Sequence, residues 1–89
     1  NTRVIGSVRA ASELDIRGMD SLEAEAVVSQ YLDGAVMGRL NVVTIIHGKG
    51  TGVLRKTVQQ MLRRDPRVKS FRLGAYGEGE AGVTVVELK

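Results

Sequence analysis

The chain has 89 residues and a mass of 9.6 kDa, with 13 Lys and Arg against 10 Asp and Glu, a net charge of +3 and a pI near 9.7. One small domain fits that length, and 43% hydrophobic with 26% charged residues is a globular rather than a disordered mix. Cysteine is absent and His47 is the single histidine, which excludes a disulfide framework, a thiol nucleophile, a Cys-based zinc site and a His cluster. A metal ion here would be a hard cation on carboxylates. The longest apolar run, Val42–Ile46, is broken by Thr44 and falls far short of the roughly 20 residues that span a bilayer.

Residues 1–12 (NTRVIGSVRAAS) keep no period and read as a linker or ordered tail, with the domain covering 13–89. Leu14 and Ile16 alternate with Asp15 and Arg17 as in a half-buried strand that Gly18 ends. Asp20 and Glu23 have capping-box spacing. Ala24, Val28, Tyr31, Leu32 and Ala35 then recur at helical intervals, predicting an amphipathic helix to about Gly38. Val42–Ile46 reads as a strand either buried on both sides or central in a sheet. His47–Gly52 is a loop with three glycines, and Leu54, Val58, Met61 and Leu62 mark a second helix that stops before Pro66. Val68–Leu73 alternates as a third strand, 74–82 (GAYGEGEAG) reads as a flexible connection, and Val83–Leu88 is a fourth strand.

The order β-α-β-α-β-β predicts an α/β, two-layer sandwich: a mixed four-stranded sheet with two helices on one face. Each strand–helix–strand unit should be a parallel crossover, and the last two strands an antiparallel pair. Periodicity leaves the strand order open.

Charge is unevenly distributed. Between Lys49 and Arg72 lie Lys49, Arg55, Lys56, Arg63, Arg64, Arg67, Lys69 and Arg72, opposed in that stretch only by Asp65; it carries +7 and leaves −4 for the rest. A basic helix face attracts phosphate backbones, and it is also what an ordinary solvated helix shows. Aromatics at 3% argue against a base-stacking platform.

In parallel α/β units, ligands bind beyond the carboxyl ends of the strands. Those ends are Asp15-Ile16-Arg17-Gly18 and His47-Gly48-Lys49-Gly50-Thr51-Gly52. Should the two strands be neighbours, Asp15, Arg17, His47 and Lys49 share one sheet edge, and the glycine loop opens the second helix with its free N–H groups at the same spot. Such a constellation suits a phosphate. Taken singly, each residue has a structural alternative: an exposed strand carboxylate, a surface cation, a core histidine, glycines for a tight turn. A Walker loop fails because Gly50 follows the lysine, and Gly77-x-Gly79-x-x-Gly82 precedes a strand rather than a helix.

Leu14-Asp15-Ile16-Arg17-Gly18, His47-Gly48-Lys49-Gly50-Thr51-Gly52, and Gly77-Glu78-Gly79 through Gly82-Val83-Thr84 together resemble the Smr (small MutS-related) domain, in the form found at the carboxyl end of the second bacterial MutS paralogue. The resemblance covers about residues 13–89. It implies a nicking endonuclease module with little sequence preference, acting on duplex or branched DNA and suppressing recombination within a larger MutS-like ATPase. The alternative is a non-catalytic or RNA-directed module docking its parent on junction DNA or on the ribosomal RNA of stalled ribosomes.

On the nuclease reading, Asp15 orients or deprotonates the attacking water or holds a divalent ion, and His47 is the partner acid/base. Arg17, Lys49 and the amides of Gly48–Gly52, with Thr51, stabilise charge on the phosphate. Arg55, Lys56, Arg63, Arg64 and Arg67 hold the nucleic-acid backbone, and Tyr76 and Glu78 approach from the loop before the last strand. Implied with this are Mg²⁺ or Mn²⁺ bound weakly, ATP only in the parent protein, a cytoplasmic location with no membrane partner, a monomeric isolated domain and a homodimeric parent. Glu80 stands where many relatives carry glycine, which bears on the conformation of that loop.

Overall fold

The computed structural model describes residues 11–89. Four strands, β1 (Glu13–Asp15), β2 (Val42–Ile46), β3 (Val68–Leu73) and β4 (Val83–Leu88), form one sheet, with α1 (Ser21–Met37) after β1 and α2 (Val53–Arg64) after β2. A single 3₁₀ turn, Glu80–Gly82, leads into β4. The predicted element order is therefore present. Of the tail 1–12, residues 1–10 lie outside the described residues, while the Ser12 carbonyl already accepts from the Thr44 N–H at 2.9 Å.

The spatial order is β1-β2-β4-β3. β1 and β2 are parallel neighbours, Asp15 opposite Ile46, as a crossover through α1 requires. β4 pairs antiparallel with both β2 and β3. The second crossover thus joins parallel strands that do not touch: β3 runs with β2, but β4 is inserted between them. Burial explains this: Val83–Leu88 is mostly buried and takes the interior place, whereas Val68–Leu73 is mostly exposed and takes the edge.

Helix α1 starts where the Asp20 carboxylate accepts from the Glu23 N–H at 2.8 Å. It closes with Arg39 N–H donating to Val36 and Leu40 N–H to Ala35, a Schellman arrangement that places Arg39 at φ 60°. The core lies between helices and sheet: Ala24, Val28, Leu32 and Ala35 from α1, Val58 and Leu62 from α2, and Ile16, Val43, Ile45, Val86 and Leu88 from the sheet side. Strand β2 is central, but it is not buried on both sides; Val43 and Ile45 are buried while Val42 is about half exposed. Period-2 geometry then decides the site, since a strand sends alternate residues to opposite faces. On β2 the inward set Val43, Ile45 continues to His47. On β1 the inward set Leu14, Ile16 leaves Asp15 and Arg17 facing outward.

Candidate nucleic-acid-binding site

One end of the sheet gathers the carboxyl ends of β1, β2 and β3 and the start of β4. His47 closes this end of β2. It is only 5% exposed, with Nε2 2.8 Å from the fully buried Thr84 Oγ1 and Nδ1 3.0 Å from the Gly48 carbonyl. A carbonyl only accepts, so Nδ1 carries the proton of the neutral ring and Nε2 accepts from the threonine hydroxyl. The N–H groups of His47 and Gly48 both donate to the Gly82 carbonyl, at 3.0 and 2.8 Å, which fastens the glycine loop to β4.

Gly48 has φ +83°, where a side chain is strained, and a Cβ there would sit 3.4 Å from the Arg17 stem. The end of β1 and the glycine loop therefore touch through Arg17. Asp15 and Arg17 form a fork: Nε to Oδ1 at 2.9 Å and Nη2 to Oδ2 at 2.6 Å, with the Arg17 N–H also on Oδ1. The guanidinium and backbone N–H hold the Asp15 carboxyl down to about 2. Asp15 is ionised at neutral pH and is a poor proton acceptor there. It shares the sheet edge with His47 but leaves from the opposite face.

An open cleft of about 440 Å³ lies beside His47, bounded by Gly18–Ser21 at the start of α1 and by Gly48, Gly50–Gly52 and Val53–Arg55 at the start of α2. Asp15, Arg17 and Lys49 are outside its lining; Arg17 and Lys49 flank it through Gly48. The two helix starts differ. α1 has Asp20 as cap and Glu23 in its first turn, whereas α2 begins at Gly52 in the left-handed region, with no side-chain cap and no acid in its first turn. Arg55 and Lys56 sit in that first turn instead, where the helix dipole disfavours cations. The α2 N-terminus is thus a concentration of unanswered positive charge opening on the cleft. Gly50 has no positive φ, and a Cβ added there would meet no atom within 4 Å, so neither the turn nor local packing requires glycine at this position.

The basic stretch is divided. Lys49 pairs with Glu80 at 3.8 Å, Arg67 with Asp65 at 2.7 Å, Lys69 with Glu87 at 3.7 Å and Arg72 with Glu78 at 2.8 Å. Three of those acids come from the segment after residue 72, so counting charge along the chain overstates the free excess. Arg55, Lys56, Arg63 and Arg64 have no ion pair among the described residues, and all four are on α2. Arg63 and Arg64 are at its far end, with the Arg63 guanidinium 5.9 Å from the Phe71 ring centroid. Arg67 is partly buried, bonded to Asp65 as a fork, and serves the turn between α2 and β3.

Glu78 and Tyr76 do not line the cleft. Glu78 bridges Arg72 at 2.8 Å and the Ala75 N–H at 2.7 Å, and Tyr76 is 95% exposed. The connection 74–82 is a hydrogen-bonded turn in place of the flexible one that its composition predicts: Gly74 N–H donates to the Glu80 and Val83 carbonyls. Glu80 adopts φ 52°, a conformation that favours glycine. Arg72 and the Ala75 N–H hold the Glu78 carboxyl at about 2 against an ordinary 4.5. Because the folded value is depressed, the stabilisation is complete above about 4.5 and is lost as pH falls toward about 2. Glu78→Gln is expected to lower the melting temperature at neutral pH and to flatten its fall across that acid window; thermal melts followed by circular dichroism check both.

No group of three or more His, Asp or Glu side chains among the described residues is placed to hold a metal ion. Both Asp15 oxygens already face the Arg17 guanidinium. The donor set does not fit a resident ion. Thr84, the partner of His47, is absent from the site residues that the sequence suggests; its signal was the Gly82-Val83-Thr84 segment in the third motif.

The Smr domain family model matches residues 14–89. The chain is 62% identical over 78 residues to Endonuclease MutS2 of Clostridium tetani and 63% identical over 79 residues to that of Clostridium novyi, covering 88% and 89% of this chain. It spans about 10% of the length of these relatives. The crystal structure of the Smr domain of Thermus thermophilus MutS2 superposes with a TM-score of 0.86 at 46% identity, over 89% of this chain and 99% of that one. YdaL, a stand-alone small MutS-related protein from Escherichia coli, shares the fold at TM-score 0.83 and 24% identity, over 88% of this chain and 64% of that one. Motifs, topology and these likenesses agree: the chain belongs to the Smr domain family.

Proposed function

We propose that the chain is a nicking endonuclease module that binds duplex or branched DNA through its backbone and acts as part of a larger MutS-like ATPase. The uncapped, cation-flanked start of α2, opening on the cleft beside His47, carries this reading. Free N–H groups and a positive helix end favour a phosphate, and no side chain caps them. Relatives at about 60% identity bear the name endonuclease, which supports the reaction class.

A phosphodiester in the cleft mouth meets the amides of Gly50–Gly52 and the first turn of α2, with Arg17 and Lys49 beside them, while the Gly48 N–H stays on the Gly82 carbonyl. Those donors stabilise the charge that grows on the non-bridging oxygens as water attacks. His47 moves the proton, since an imidazole carries a donor on one ring nitrogen and an acceptor on the other. Asp15, ionised and forked to Arg17, aims the guanidinium. Arg55 and Lys56 extend the contact along the backbone, and Arg63 and Arg64 reach more distant phosphates on the same helix.

The second reading, a binding module without catalysis directed to junction DNA or ribosomal RNA, is favoured by the low basicity of Asp15. Relaxation of supercoiled plasmid separates the two, run with Mg²⁺, with Mn²⁺ and with chelator, and repeated on structured RNA. Nicked circles above a mock-purification control are expected. Tight binding with intact plasmid and intact RNA would support the binding module instead.

A further inference from the structure

We infer that Thr84 is the positioning residue for His47, fixing Nε2 so that Nδ1 is the nitrogen that turns to the substrate; this rests on the endonuclease reading. Two observations carry it. The Thr84 hydroxyl is fully buried and lies 2.8 Å from Nε2. The other ring nitrogen holds only the carbonyl of the next residue, Gly48, whose backbone lines the cleft.

The asymmetry follows from what each partner can do. A carbonyl accepts only, whereas a hydroxyl donates or accepts by rotating. With the ring neutral, Thr84 O–H donates to Nε2. With the ring protonated, Nε2–H donates to Oγ1 after the hydroxyl turns. Thr84 therefore holds the ring through both protonation states, and the Gly48 contact is the one that can be exchanged for a substrate oxygen. As the water oxygen bonds to phosphorus, the bond from phosphorus to the leaving oxygen breaks; the imidazolium N–H bond at Nδ1 breaks as an O–H bond forms on that leaving alkoxide, and the water's own proton passes to solvent. The ring is left as the Nε2–H tautomer, donating to Oγ1, and regains the resting form, Nδ1–H with the hydroxyl donating to Nε2, by proton exchange with solvent. A buried imidazole without such a partner would lose one hydrogen bond and its fixed orientation.

Because His47 is the sole histidine, its ring nitrogens are read without assignment ambiguity in a long-range ¹H–¹⁵N spectrum. In the parent chain at a pH where the ring is neutral, Nδ1 should appear as the protonated nitrogen and Nε2 as a hydrogen-bonded acceptor. Thr84→Val preserves shape and removes the hydroxyl. It should move the Nε2 resonance toward that of an unbonded acceptor and lower the plasmid-nicking kcat about 10-fold or more with KM unchanged, the usual scale for losing the partner that orients an imidazole. Thr84→Ser should restore both. Equal losses in the valine and serine variants would assign the effect to packing and overturn the proposal, as would wild-type nicking with an unmoved Nε2 resonance in Thr84→Val. A parent chain that shows the Nε2 response but never nicks would keep the hydroxyl–imidazole contact and remove the endonuclease reading.

Discussion

His47→Ala is expected to lower single-strand nicking by about 10²–10⁴-fold, the span usual for a positioned group that moves a proton, while affinity for duplex DNA stays near that of the parent. The ring is nearly enclosed, with both nitrogens bonded, yet it borders the cleft. Backbone bonds from His47 and Gly48 to the Gly82 carbonyl hold the glycine loop independently of the ring. The loop amides should thus survive the substitution, and phosphate binding with them. Single-turnover nicking and fluorescence anisotropy on one labelled duplex measure the two effects separately. Retained nicking would remove His47 from the reaction; lost affinity in step with lost rate would make it a binding residue.

Arg17→Ala is expected to cost about 10²–10³-fold in nicking, as for other single charge-stabilising donors. Asp15→Asn should cost less. Its carboxylate sits at about 2, too low for an efficient base near neutrality, and its visible work is the fork on Arg17. Removing a negative charge near phosphate should leave DNA affinity equal or higher. The double variant should lose less than the product of the single losses, because the second substitution removes a group already misplaced. A loss in Asp15→Asn as deep as that in His47→Ala would show instead that the carboxylate takes the proton or holds an ion itself.

Alternation, one β-branched apolar run and helical spacing were enough for the elements of this chain, because the strands turn apolar residues inward and each helix buries one stripe. The strand order was not legible: two crossovers and a hairpin are compatible with β4 at an edge or between β2 and β3, and the deeper burial of β4 goes with its interior place. The motif segments do gather at one sheet end. What sequence order hides is the face. Asp15 and His47 look like partners along the motifs, yet one residue's difference in parity sends them to opposite faces of the sheet. Thr84 stands in the third motif, but its part in the site is a contact 37 residues distant, which spacing along the chain does not show. Linear charge counting failed at Lys49, Lys69 and Arg72, whose partners Glu80, Glu87 and Glu78 lie beyond the counted stretch. It succeeded on α2, where no acid intervenes between Arg55 and Arg64.

That the phosphate backbone enters at the start of α2 is the claim on which the rest depends, and backbone amide shifts in a ¹H–¹⁵N titration with a short DNA duplex test it directly. The largest changes are expected at Gly48, Gly50–Arg55 and Gly18–Ser21, with smaller ones running along α2 to Arg63 and Arg64, and with the changes fading as salt is raised. Changes concentrated instead on the open sheet face, at Val42, Arg72 and Val85, with the glycine loop and first turn of α2 unmoved, would contradict it.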